Sequence, residues 1–302
     1  MRATADPGES GSESLATSLT DELKRIRFAI KEMKGTDQWY ETSILDLTKP
    51  LRGHIDGLIG SRDADTDHDV NTTAGEATDD TGAQLMRLTS EITKRVDATW
   101  AVGNDNGGLD TGSIGNTDYY YRWLIMRSDT GVVDVLISLS ATSPTMPTNY
   151  DFKRFIGFAG LTEGNANMTV DWVQDGDDFL WKVPLADIND NDPGTSAVSN
   201  TLTIPPDTPV YADAAYTIKD ASIAAATRIV ISSLDQTDTA PSSTLHDMEM
   251  NHSTNTEFAN NSIHKLVKCT TGAVRTRLDN SDAGINVLIT THGWKDRRGR
   301  DA

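Results

Sequence analysis

From residue 84 onward the apolar residues recur at every second position, in short runs separated by Gly, Asn, Asp and Pro. A period of two places alternate side chains on one face of an extended backbone, so this part of the chain predicts strands and not helices. The clearest runs lie in the middle. Tyr119, Tyr121, Trp123 and Ile125 alternate, and Arg122 points to the opposite face. Val133, Val135, Ile137 and Leu139 alternate again. Between them Arg127-Ser128-Asp129-Thr130-Gly131 is rich in turn residues, which predicts an antiparallel hairpin or meander. A loop with Pro144 and Pro147 follows, then a strand over 152–159.

The same pattern extends on both sides. Leu85 and Met86 open a strand, and Ile92, Val96, Ala98, Trp100 and Val102 continue at a two-residue period. Strands are predicted at 168–173 and 179–183, joined by Asp175-Gly176-Asp177, a D-G hairpin signal. Further strands are predicted at 197–204, 210–218, 228–234, 263–269, 273–278 and 285–291. No period of 20 to 50 residues repeats, which argues against a β-helix or a propeller. The expected fold is mainly β, an antiparallel β-sandwich of jelly-roll type over 83–302. The closing stretch WKDRRGRDA is basic and predicts a frayed end.

The first 82 residues are different. Residues 1–14 are dominated by Gly, Ser, Glu, Asp and Pro and predict a disordered arm. Residues 15–60 predict a short helix followed by an arm. Thr20-Asp21-Glu22 supplies start signals, Lys24, Arg25, Lys31 and Lys34 weight the later turns, and Gly35 is a stop. Leu19, Leu23, Ile26, Ile30 and Met33 are spaced four, three, four and three apart, the a/d seam of a coiled coil about two heptads long. An amphipathic helix packed on its own domain has the same spacing, and both readings stay open. Residues 36–60 predict a short strand or extended arm and a turn. Residues 61–82 read as an acidic linker. Asp63, Asp65, Asp67 and Asp69 alternate there, but the Gly and Glu that an EF-hand loop requires at its sixth and twelfth positions are absent.

Composition narrows the function classes. The 302 residues carry a formal net charge of −18, which disfavours non-specific binding to nucleic acid or anionic membranes. One cysteine, Cys269, forms no intrachain disulfide and suits a small buried hydrophobe in its strand. No run of 18 apolar residues predicts a membrane span, and the first residues predict no signal peptide.

A search for chemistry finds no G-x-S-x-G, H-E-x-x-H, C-x-x-C or P-loop. His246 and His252 flank Asp247 and Glu249, but their spacing matches no metal motif and predicts a polar loop. Asp187-Ile188-Asn189-Asp190-Asn191-Asp192-Pro193 resembles the calcium linker of cadherins, yet it falls between strands of one domain and predicts an Asx-rich turn. Asp177 and Asp178 could form a glycosidase pair, but among 45 acidic residues that choice is arbitrary. Trp172, Trp181, Tyr211, Tyr216 and Trp294 could stack on sugars, but each sits in an alternating run and predicts sheet core. No catalytic residue, metal or cofactor is expected.

One stretch carries a family resemblance. Residues 100–158 (WAVGNDNGGLDTGSI, then YYYRWLIMRSDTGVVDVLISLSATSPTMPTNYDFKRFIGF) resemble a segment common in bacteriophage tail fibre and tail-associated virion proteins. Residues 267–294 resemble the closing strands of such proteins, and the N-terminal helix looks like the attachment helix that often opens them. The resemblance covers most of the chain from about 84 onward and brings no catalytic residues. It implies a non-enzymatic virion component: a homotrimer docked on other virion proteins through Leu19, Leu23, Ile26, Ile30 and Met33. The β domain would then meet a neighbouring protein or a host surface glycan. A long repeat shaft is missing. The alternatives are a head fibre or decoration protein, a polysaccharide-degrading tailspike, which normally needs β-helix repeats, and a monomeric intracellular ligand-binding protein.

Overall fold

The computed structural model describes residues 50–63, 65–168, 170–220, 226–250 and 259–300, together with Ile26. The chain divides into two compact units, Met1–Pro50 and Leu51–Ala302. Ile26 is helical and 48% exposed. Leu19, Leu23, Ile30 and Met33, and the arm over 1–14, lie outside the described residues.

The second unit is all β among the described residues. Its first eleven strands are β1 (Ile55–Gly57), β2 (Gly60–Arg62), β3 (Asp69–Thr72), β4 (Gly75–Thr78), β5 (Leu85–Leu88), β6 (Ile92–Thr99), β7 (Asn106–Leu109), β8 (Tyr119–Arg127), β9 (Val133–Ser138), β10 (Tyr150–Glu163) and β11 (Asn167–Met168). They form an eight-stranded sheet in the order β11-β10-β8-β9-β7-β6-β3-β2 and a three-stranded sheet, β1-β4-β5. The hairpin read from the sequence is present: β8 and β9 pair antiparallel from Tyr121↔Ser138 to Met126↔Val133. Tyr121, Trp123 and Ile125 share one core with Leu136, Tyr150 and Phe155. The other face of β8 is buried as well, because Leu124 and Met126 pack with Ile55, Leu58, Met86 and Leu88. A strand covered on both sides needs a near-continuous apolar run, which YYYRWLIMR supplies.

The stretch expected as an acidic linker, 61–82, is instead part of the sheets. It holds β3 and β4 and the end of β2, and Val70, Thr72, Ala77 and Thr78 are buried. Its acids serve the turns. Asp79 accepts hydrogen bonds from the backbone N–H groups of Thr81, Ala83 and Gln84, and Asp65 accepts one from the N–H of Asp67. Carboxylates used in this way look like linker composition in a sequence, although the backbone between them is paired. The β domain therefore begins near residue 51 and not at 83. A second correction concerns strand direction: β7 pairs parallel to β6 and to β9. Its glycines permit this, since a Cβ on Gly107 would lie 2.0 Å from the Thr99 carbonyl oxygen.

The remaining strands are β12 (Trp172–Asp175), β13 (Asp178–Asn191), β14 (Val198–Thr201), β15 (Val210–Asp220), β16 (Thr227–Ser233), β17 (Met248–Met250), β18 (Ala259–Cys269), β19 (Ala273–Leu278) and β20 (Ile285–Lys295). They form a five-stranded sheet, β12-β13-β20-β15-β18, and a four-stranded sheet, β14-β19-β16-β17. Tyr216, Ile218 and Ile289 from the first sheet and Ile229, Ile231 and Leu278 from the second belong to one core. Phe158 of β10 enters the same core and meets Trp172, Trp181 and Trp294 edge-on, with ring centroids 5.4, 5.8 and 5.1 Å away. Trp172, Trp181, Tyr216 and Trp294 thus fill sheet core as expected, whereas Tyr211 faces outward at 40% exposure. Cys269 is buried, and burial pushes its thiol pKa up to about 11. The basic tail is not frayed as far as Arg300: Trp294, Asp296 and Arg298 are all buried.

Two outcomes follow from this packing. A chain covering 51–302 should unfold in one cooperative transition followed by circular dichroism, while a chain covering 83–302, lacking Ile55, Leu58, Val70 and Ala77, should show none. Phe158→Ala, which empties the centre of the aromatic cluster, should lower stability by about 3–5 kcal/mol in urea denaturation.

Candidate functional site

Three segments with unlike sequences converge at one place: the apolar β8, the KRFIGF portion of β10, and the charged tail after β20. Together with the turn after β4 and the loop before β15 they leave a cleft of about 330 Å³. Trp123, Phe155 and Pro209 give it apolar walls, and Asp80, Asp296 and Arg297 supply the charges. Trp123 and Phe155 meet edge-on at 5.5 Å, which fixes both rings, and Lys153 Nζ sits 5.0 Å from the Trp123 ring.

Close to the cleft lies a layer of buried charge. Arg122 donates to the carbonyl oxygens of Phe158 (2.8 Å) and Leu58 (3.3 Å), to Thr72 Oγ1 (3.1 Å) and to Gln174 Oε1 (2.7 Å). Arg298 donates to the carbonyls of Ile156 (3.1 Å), Gly57 (2.9 Å) and Leu58 (2.8 Å). The guanidinium of Arg122 fits only because residue 60 is glycine; a Cβ there would lie 2.4 Å from its Cζ.

Asp296 is the most perturbed acid of the site. It is 3% exposed, and one of its oxygens accepts from the backbone N–H of Arg298 at 2.8 Å. The other, Oδ2, is buried without a hydrogen-bond partner, as are Nε and Nη2 of Arg154. Burial pushes the Asp296 carboxyl up to about 6, against the opposing pull of that N–H and of the Arg298 and Arg122 guanidinium groups. Burial also raises Asp80, with Lys153 and Arg154 opposing. An apolar cleft with a few convergent polar groups, some unsatisfied by the protein, is the usual form of a small-ligand site.

The residues singled out from the sequence are not brought together here. His246 approaches Glu249 at 3.7 Å, and the neighbouring Asp247 is held by Lys265 at 2.6 Å; His252 lies outside the described residues. Among the described residues no group of three His, Cys, Asp or Glu side chains could hold a metal ion. Asp187 to Asn191 continue β13 and do not form the expected Asx-rich turn. The Asp187 carboxylate is taken by the N–H and hydroxyl of Thr203 (both 2.7 Å), in the loop after β14, and by the hydroxyl of Thr291 on β20 (2.5 Å). Asp177 pairs with Arg300 and Asp178 with Lys295, so each is occupied by its own cation. The cleft residues had no motif. The one signal was Arg122 inside an apolar strand, followed far downstream by a basic tail.

A scan against protein-family models finds none that matches the chain, and a search of curated proteins finds no match either.

The buried Asp296 makes a pH prediction. Its folded pKa lies above the ordinary carboxylate value, so the folded state holds the proton more tightly than the unfolded state between about pH 4 and 6. Its contribution is therefore fully present below about pH 4 and is lost as pH rises through about 6. Relative to the native chain, Asp296→Asn should gain on the order of 3 kcal/mol of stability between pH 4 and pH 7, at 1.36 kcal/mol per pKa unit. Urea denaturation at both pH values measures this, and a difference independent of pH would refute the burial of an ionisable group there.

Proposed function

We propose that this chain is a structural, non-enzymatic component of a bacteriophage virion, a tail fibre or fibre-adaptor protein. It attaches through its N-terminal region as a homotrimer and presents the β unit to a neighbouring protein or a host surface. The observation that carries the reading is the strand order of β13 to β20. Numbered one to eight from β13, they run 1-8-3-6 in one sheet and 2-7-4-5 in the other. That is the order of a jelly-roll sandwich, two Greek keys folded over one core, an architecture that recurs in viral capsid and lectin domains. Fold alone does not give function. The second support is the resemblance of residues 100–158 to virion proteins, because that stretch builds β8, β9 and most of β10. The a/d spacing of Leu19, Leu23, Ile26, Ile30 and Met33 supplies a means of self-association.

The test is mass in solution, by light scattering on a size-exclusion column, for the full chain and for 51–302. The full chain should weigh three protomers and the shorter chain one. Monomers in both cases would remove the trimeric fibre, and a trimer in both would move the contacts into the β unit.

A further inference from the structure

We infer that the cleft between Trp123, Phe155 and the tail is a binding site for a single neutral sugar ring. The inference rests on the surface-presentation reading above and gives it a location. Three observations carry it. First, the walls are of two kinds. Trp123, Phe155 and Pro209 are apolar, while Thr142, Thr208 and Asp296 carry oxygens. A pyranose has the same two-sided character, an apolar C–H face and a rim of hydroxyl groups.

Second, the protein leaves polar groups there unsatisfied. Asp296 Oδ2 is buried without a partner, on a residue that lines the cleft. Arg154 Nε, also unpartnered, is 3.5 Å from where a Cβ on Gly299 would stand, and Gly299 lines the cleft too. A buried acceptor without a donor is costly unless a ligand completes it, and a sugar hydroxyl can donate to a carboxylate oxygen.

Third, the charges balance. Asp80, Asp296 and Arg297 share the lining, and Arg154 adds a second cation near Gly299. A ligand with net charge of either sign would meet like charge, whereas a neutral one would not. The volume of about 330 Å³ accommodates one ring.

The experiment is saturation-transfer NMR on the full chain with methyl α-glucopyranoside, methyl α-galactopyranoside and methyl α-mannopyranoside. Glucuronate and glucosamine serve as charged counterparts and N-acetyltyrosinamide as a peptide-like aromatic. Thr142→Trp is the blocking variant. Thr142 is exposed, and the bonds it makes run through its backbone N–H and carbonyl, so its fold can be verified by an unchanged melting curve. Transfer to at least one neutral pyranoside is expected, stronger than to its charged counterparts and weakened about tenfold or more by Thr142→Trp, a loss of at least about 1.4 kcal/mol in binding. Absence of transfer to any pyranoside, transfer indifferent to Thr142→Trp, or transfer to N-acetyltyrosinamide alone would overturn the assignment. Failure here with a trimeric full chain would leave the virion reading standing. Sugar binding by a monomer would do the reverse.

Discussion

The unit from residue 51 onward depends on two guanidinium groups that converge on one carbonyl. Arg122 from β8 and Arg298 from the tail both donate to the oxygen of Leu58. Leu58 holds φ at 55°, a left-handed conformation that a leucine adopts only when its surroundings impose it. Taking a guanidinium out of water costs several kcal/mol even after relaxation. Here the offset comes mainly from backbone dipoles: the carbonyls of Phe158, Ile156, Gly57 and Leu58 surround the two groups. The bonds run from β8 and the tail to β10 and to the end of β1 with the residue that follows it. The three-stranded sheet, the eight-stranded sheet and the end of the chain are thereby fixed to one another by polar contacts as well as by apolar packing.

The second fixed point is apolar. Phe158 sits on β10 of the eight-stranded sheet, yet its ring lies among the indoles of Trp172, Trp181 and Trp294, and Phe179 stacks on Trp294 at an interplanar angle of 2°. One strand therefore joins the cores of both pairs of sheets. This explains why the β unit does not divide at residue 168, where the strand order changes from one pair of sheets to the other. The cleft is a by-product of the same junction: residues from β8, β10 and the tail meet there without filling the space between them.

How much of this could be read from the sequence depended on how each strand is buried. β15, β16, β19 and β20, each with one face on a core, showed a clean period of two, whereas Met248–Met250, read as part of a polar loop, form β17 because Met248 and Met250 reach the core from a mostly polar stretch. β19 was placed to the residue, because VRTRL alternates without interruption. β3 and β4 were missed because DVNT and GEAT are short and polar, and only their partners in the sheet make them strands. β7 was missed because NGGL is a turn composition, and close approach to β6 is a tertiary requirement. The tail misled for another reason: a run of charges reads as solvent-exposed, whereas Arg298 is buried by carbonyls far away in sequence. For the same reason the cleft was invisible. Its residues come from separate segments, and of them only the neighbouring Arg122 broke a local pattern.

The bond from Arg298 to Gly57 joins residues 241 apart in sequence, and β20 pairs with β13 on one side and β15 on the other. During synthesis on the ribosome, then, residues made early must wait for partners made more than two hundred residues later. Until residue 298 emerges, β13 and β15 each keep an open edge, and the Leu58 carbonyl has no second donor. Contacts of this range are slow to form, and open edges are sites where nascent copies can pair wrongly. Closure of this sheet is therefore tied to the synthesis of β20, so that a translation product ending before it would leave β13 and β15 with edges exposed to any other extended chain.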